Sequence, residues 1–134
     1  NDEKHLILYR SEFSFVIMNI FPYNNGHLMV VPNKHVPNLN GLNKDEIDDL
    51  FETVQLCEKV ITKVYFPDGL NIGMNLGKAA GAGIDEHLHV HIVPRWSGDV
   101  NFMSAIAGTR IIPESFGQAY SKLKEQFDNE KTEN

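Results

Sequence analysis

The sequence predicts an α+β fold: a mainly antiparallel sheet of about five strands, one long central helix and a second helix near the C-terminus. Three observations carry this. Short apolar or alternating runs are separated by turn residues. One apolar stripe of helical period runs through residues 47–64. A third stretch alternates histidine with apolar residues, His87-Leu88-His89-Val90-His91. A period of two is the period of a strand.

The elements follow in order. Leu6–Tyr9 and Phe13–Met18 read as strands joined around Arg10-Ser11-Glu12. Pro22-Tyr23-Asn24-Asn25-Gly26 is a turn, rich in residues that tolerate positive φ. His27–Pro32 is a third strand, apolar enough to be central, and Pro32 ends it. After a polar loop over 33–42, Asn43 opens the long helix. It can cap, Glu46 stands where it completes a capping box, and Leu42 is placed to staple against Ile47. Ile47, Leu50, Phe51, Val54, Cys57, Ile61 and Val64 form an apolar helical stripe down to Tyr65, and Pro67-Asp68-Gly69 breaks the helix. Leu70–Asn75 is the fourth strand and the histidine run the fifth. Residues 94–112 read as irregular. Pro113 sits where a helix can start, and Phe116, Ala119, Tyr120, Leu123 and Phe127 give it an apolar stripe. The polar tail 128–134 is expected to be disordered, so the single domain is placed at residues 1–127.

Composition narrows the function. At 134 residues with 42% apolar content, the chain suits one domain with a real core. Its net charge of −6 disfavours a nucleic-acid-coating role. An anionic substrate must therefore be held by local donors rather than by the global field. No apolar run is long enough to cross a bilayer. The lone cysteine, Cys57, argues against a disulfide scaffold, fits a reducing cytoplasm and is most simply a small core residue.

On a strand, His87, His89 and His91 point to one face while Leu88, Val90 and Ile92 point to the other. The result is a row of groups that titrate near neutral pH on a rigid backing. A metal site is the first rival. Positions i and i+4 of a strand lie about 13 Å apart, too far for one zinc whose bonds to nitrogen are about 2 Å. No metal is therefore expected. Inert core histidines are disfavoured because buried polar groups need partners. The stretch Gly77-Lys78-Ala79-Ala80-Gly81-Ala82-Gly83, just before the row, lacks the spacing of a Walker A loop. It is either a tight turn or a phosphate cradle in which glycines turn N–H groups toward an anion.

The pattern histidine–apolar–histidine–apolar–histidine–apolar–apolar, His87 to Val93, resembles the signature of the histidine triad (HIT) superfamily, and the resemblance covers nearly the whole chain. Asn24-Asn25-Gly26-His27 with the strand to Pro32 resembles the family's upstream glycine–histidine strand. Asn75-Leu76-Gly77 with Gly81-Ala82-Gly83 resembles its phosphate loop. The longer run from Glu86 to Met103 is similar to the bacterial branch that includes diadenosine tetraphosphate phosphorylases, related to the fragile-histidine-triad hydrolases. One departure stands out. Many members carry a hydroxyl residue in the glycine loop, where this chain reads Gly83-Ile84. That weakens a phosphoramidase reading, because an amine leaving group needs a proton and a polyphosphate departs more easily.

The resemblance implies a HIT-like fold and a dinucleoside polyphosphate hydrolase or nucleotidyltransferase. His89 would be the nucleophile, forming a nucleotidyl-histidine intermediate that passes to water or inorganic phosphate. His91 would contact the α-phosphate, and His87 would orient the row through a hydrogen bond with His27. Without the resemblance, His27 reads as an ordinary structural histidine at a strand start. Asn75 would donate to the α-phosphate, while Gly81 and Gly83 would supply space and backbone donors. Asn19 matches the ribose-binding position, although a strand-end cap explains it as well. Ile17 and Ile20 would line the base pocket, and Met18 reads as core. Arg95 and Lys78 are candidates for distal phosphates, against the reading of ordinary surface cations. Trp96 suits a dimer, lid or packing role equally. His5 and His35 read as surface, with His35 near enough to border the site.

No cofactor is expected to be required beyond a divalent cation accompanying the polyphosphate. A homodimer in the cytoplasm, with no nucleic-acid or membrane partner, completes the expectation. The alternatives are a nucleoside phosphoramidase or AMP-ester hydrolase and, from another class, a non-catalytic nucleotide-binding regulatory module. A complete histidine row argues against the last, since binding alone needs no nucleophile.

Overall fold

A computed structural model describes residues 1–20, 25–82, 87–98 and 115–133. Asn43 caps the long helix as its sequence predicts. Its side chain accepts from the Glu46 N–H at 2.9 Å, and the Glu46 carboxylate accepts from the Asn43 N–H at 2.8 Å. This helix, α1, spans Lys44–Tyr65. It ends where Phe66 turns into the left-handed region, just before Pro67, whose ring disfavours helical backbone in the residue before it.

Five strands form one sheet: β1 (Ile7–Arg10), β2 (Ser14–Met18), β3 (Leu28–Pro32), β4 (Gly69–Gly73) and β5 (Val90–Arg95). Their order is β1-β2-β3-β5-β4, and every neighbouring pair is antiparallel. Among the described residues, the predicted architecture of five antiparallel strands and two α-helices stands. Alternation splits the sheet into two faces. Leu8, Val16, Leu28, Val30, Val90 and Ile92 are fully buried on one, against Leu50, Cys57, Val60 and Ile61 of α1. Cys57 is a core residue, and burial pushes its thiol pKa up. Gly26, with φ +82°, sits so close to Tyr65 and Pro94 that a Cβ there would lie 2.9 Å from the Tyr65 ring. The turn therefore needs glycine.

The second helix, α2, spans Phe116–Glu133. Its described start is a capping box that the sequence displays but the reading from Pro113 passed over. Gln118 N–H donates to Ser115 Oγ, and Ser115 N–H donates to Gln118 Oε1, both at 3.1 Å. Ala119, Tyr120, Leu123 and Phe127 are buried as predicted, whereas Phe116, at the first turn, is exposed. The Tyr120 hydroxyl donates to the Ile7 carbonyl at 2.8 Å, and Phe127 stacks on Tyr9.

The tail differs from expectation. Residues 128–133 are helical rather than disordered because Glu130 is buried among partners. Its carboxylate lies 2.6 Å from Lys63 Nζ and 2.7 Å from Gln126 Nε2. The Lys63 ammonium holds the Glu130 carboxyl below its usual pKa. Gly83, Pro113, the turn residues Pro22, Tyr23 and Asn24, and positions 99–112 lie outside the described residues.

Candidate active site

The histidine row lies on the sheet face opposite the helices. Its alternation is as predicted, with Leu88, Val90 and Ile92 buried and the three imidazoles on the other side. The ladder itself starts later than the sequence suggests, at Val90. The physical reason is at the other strand. β3 pairs Val30 with Val90, and two residues further on comes Pro32, which has no N–H to offer. Residues 87–89 are fastened by other means. Leu88 N–H donates to the Val36 carbonyl at 2.8 Å, and His87 Nε2–H donates to the Pro32 carbonyl at 2.7 Å. The His87 ring thus replaces a missing backbone rung.

His89 Nδ1 lies 2.9 Å from the carbonyl oxygen of His87. A carbonyl only accepts, so Nδ1 carries the proton and Nε2 is left with a lone pair in the neutral ring. The His89 and His91 rings meet edge to face, 4.6 Å between centroids.

The expected pairing of His87 with His27 is not what forms. His27 Nε2 lies 3.0 Å from His91 Nδ1, and His87 Nδ1 is 3.0 Å from Nδ1 of His35. Register explains the exchange. Met29 stands opposite His91, so His27, two residues before Met29 on the same face, reaches His91 and is far from His87. His35 is exposed and borders the site, as its sequence position suggests, and its contact with His87 makes it the fifth histidine of the constellation. Its signal was the Pro32 that precedes it: a strand ending there returns the following loop toward the start of the row.

His27 is buried, and its pKa is pushed down to about 4, first by burial and then by the nearby His91 and His89. Burial also lowers the pKa of His91, with His89 adding to it. Burial and mutual proximity thus favour the neutral form of both rings. Asn19 reaches His27. Its Nδ2 lies 3.3 Å from each His27 ring nitrogen, and its N–H donates to the His27 carbonyl at 2.9 Å.

Ile17, Met29, His91 and Gly73 form one row across β2, β3, β5 and β4. Ile17 thus shares the histidine face, Met29 is a wall residue the sequence reading missed, and Met18 faces the core. Alternation from His27 would have found Met29. Ile20 lies beyond the end of β2, outside these rows.

The loop after β4 brings Asn75 next to Gly81: a Cβ at Gly81, whose φ is +100°, would lie 3.6 Å from Asn75 Nδ2. Gly81 does not offer the expected backbone donor. Its N–H is bonded to the Lys78 carbonyl at 3.0 Å in the turn Lys78–Ala80, and the Ala82 N–H is bonded to the Gly77 carbonyl. Its contribution is space. Lys78 is exposed on that turn, and Trp96 is half-buried just after β5. Among the described residues, no three His, Cys, Asp or Glu side chains are grouped to hold a metal ion.

Known proteins are similar to this chain in sequence and fold. The model of the HIT domain matches residues 1–98. An AP-4-A phosphorylase of Mycobacterium tuberculosis is 45% identical over 114 residues, 85% of this chain and 58% of that protein. An asymmetrical bis(5'-nucleosyl)-tetraphosphatase of Schizosaccharomyces pombe is 39% identical over 69% of this chain and 50% of its own length. The chain thus spans only about half of the curated relatives it matches. A hypothetical histidine triad nucleotide-binding protein from Sulfolobus tokodaii superposes with a TM-score of 0.76 at 28% identity, covering 94% of this chain and 85% of that one. Domain match, relatives and superposition agree with the histidine row: the chain belongs to the HIT-domain family.

Proposed function

We propose that the chain is a nucleotidyl-transferring enzyme that cleaves dinucleoside polyphosphates, such as diadenosine tetraphosphate, at the α-phosphate. The observation that carries this is the His89 Nδ1–H bonded to the His87 carbonyl, which aims a neutral Nε2 lone pair out of the sheet. Nε2 attacks the α-phosphorus, an N–P bond forms, and the bond to the leaving polyphosphate breaks with its electron pair going to the departing oxygen. The resulting nucleotidyl-imidazolium keeps its Nδ1–H on the carbonyl, which stabilises the positive charge. Water or inorganic phosphate then attacks phosphorus, and the N–P pair returns to His89.

The other residues support that exchange. With the Asn19 amide donating into His27 Nδ1, His27 Nε2–H donates to His91 Nδ1, and the His91 proton sits on Nε2. From there it serves a nonbridging oxygen or the leaving group. His87 and His35 hold the nucleophile's segment. Asn75 donates to the α-phosphate beside the space left by Gly81. Ile17, with Met29 next to it, lines the nucleoside pocket, and Asn19 and Ile20 border it. A divalent cation arrives with the polyphosphate. The curated relatives support the substrate class by their names, AP-4-A phosphorylase and tetraphosphatase.

Product analysis tests the proposal. With diadenosine tetraphosphate and inorganic phosphate, ADP plus ATP identifies a phosphorylase, and AMP plus ATP identifies an asymmetric hydrolase. Absence of cleavage under both conditions contradicts the proposal.

The same reading includes a homodimer in the reducing cytoplasm. β4 ends the sheet, and Ile72 on it is 46% exposed. On α1, Phe51 is 44% exposed. A second copy covering these groups is the simplest symmetric assembly, and sedimentation at micromolar concentration reads it directly.

A further inference from the structure

The histidine face of the sheet continues past His91. Along β5, Val93 and Arg95 share it by alternation. On the edge strand β4, the residues opposite His91, Val93 and Arg95 are Gly73, Asn71 and Gly69. Directly opposed residues project to the same face, so two of these three β4 positions present no side chain. Packing among the described residues does not explain that. Neither glycine has positive φ, and a Cβ built at either meets no described residue within 4 Å. Glycine inside a strand weakens it and often marks where another group approaches the backbone closely. Between the two glycines, the Asn71 amide oxygen accepts from Arg95 Nη1 at 2.9 Å, holding the guanidinium on the β4 side. Just before β4, the Asp68 carboxylate accepts from the Ser97 N–H at 2.7 Å.

Among the described residues, the result is a strip floored by Gly73, Asn71 and Gly69. It starts at His91 and ends at Arg95, about 13 Å further along the strand. Its direction fits the chemistry. The attacking and leaving atoms of a phosphoryl-type transfer lie roughly in line. With His89 attacking, the leaving group departs on the side away from His89, past His91 and along the strip. A guanidinium matches phosphate oxygens in a planar, two-pronged fashion. In a chain of net charge −6, an anion needs such a local cation.

We infer, resting on the nucleotidyl-transfer reading above, that this glycine-floored strip carries the phosphates beyond the scissile bond, with Arg95, positioned by Asn71, binding the distal end of the polyphosphate. The strip is then a length-selecting subsite, distinct from the nucleoside pocket across the sheet at Ile17 and Asn19.

Two variants test it, Arg95→Ala and Gly69→Val, the second a strand-favouring residue at a position with room for its Cβ. Each is assayed on diadenosine tetraphosphate and on the p-nitrophenyl ester of AMP, which ends just past the scissile bond. For the tetraphosphate, kcat/KM is expected to fall about tenfold in both variants, the loss of one charge-assisted hydrogen bond. For the ester it stays within about twofold. Equal losses on the two substrates, or no loss in either variant, overturn the strip while leaving nucleotidyl transfer standing. A wild-type chain that turns over neither substrate overturns nucleotidyl transfer itself and the strip with it.

Discussion

Nε2 of His27 lies 3.0 Å from Nδ1 of His91, joining the start of β3 to the middle of β5. The contact engages Nδ1 of His91 and leaves Nε2 as the ring nitrogen outside the pair. It also gives His91 a buried neighbour that stays neutral, so the pair can pass or hold a proton without accumulating charge on His27.

Removing that neighbour should matter most when the leaving group is poor. His27→Ala is expected to lower kcat by about 10- to 100-fold, the range of a proton-transfer contribution. The loss should be greater for an adenosine phosphoramidate than for diadenosine tetraphosphate, whose polyphosphate departs without much help. Parallel kcat measurements check this, and equal losses on both substrates would mean that His27 acts only on shape.

Acid should weaken the fold through the same residue. In the folded chain the His27 pKa is about 4, against an ordinary value of 6.5, because burial and the nearby His91 and His89 oppose its charge. Below pH 6.5 the unfolded chain takes up this proton while the folded chain does not, until pH falls through about 4. The stability that a neutral His27 contributes is therefore complete above pH 6.5 and lost between 6.5 and about 4. The Tm of the wild type is expected to drop across that window more steeply than that of His27→Gln, a difference that thermal melts at stepped pH values read out.

Much of this was legible in the sequence, for local reasons. Asn43 and Glu46 announce the start of α1 because a capping box closes within four residues. The histidine alternation announces a two-faced segment because period two is a property of extended chain itself. What failed depended on register. Whether His27 meets His87 or His91 is decided by pairing Met29 with His91 across 62 positions, which no local pattern encodes. His35 is exposed and borders the site as read, but its particular partner, His87, was set by the same kind of long-range placement. The Gly81 amide was misread because a glycine-rich loop does not reveal whether its N–H groups face outward or close a turn, and here the Lys78 carbonyl takes this one. The tail was misread because Glu130 looks like a solvated charge until α1 brings Lys63 beside it.

The tether at the start of the row makes a graded prediction. His87→Ala removes the ring that donates to the Pro32 carbonyl and frees the segment carrying the nucleophile. It is expected to lower kcat by about 10- to 100-fold with little change in nucleotide affinity, since misplacement of about 1 Å costs that much. His35→Ala removes only the outer partner of His87 and should cost less than about tenfold. Single-turnover rates alongside Kd values for AMP check the order, and a larger loss in His35→Ala would reverse the roles assigned to the two rings.

The central claim is that His89 becomes covalently nucleotidylated. Diadenosine tetraphosphate labelled in the α-phosphate, mixed with the wild-type chain and quenched in alkali within one turnover, provides the most direct test. The account predicts an acid-labile, alkali-stable AMP adduct that maps to His89 by peptide mass spectrometry. It also predicts no adduct in His89→Ala, whose kcat falls by roughly 10³-fold or more, about 4 kcal/mol of barrier. An adduct on another residue, or near-normal turnover by His89→Ala, would contradict it.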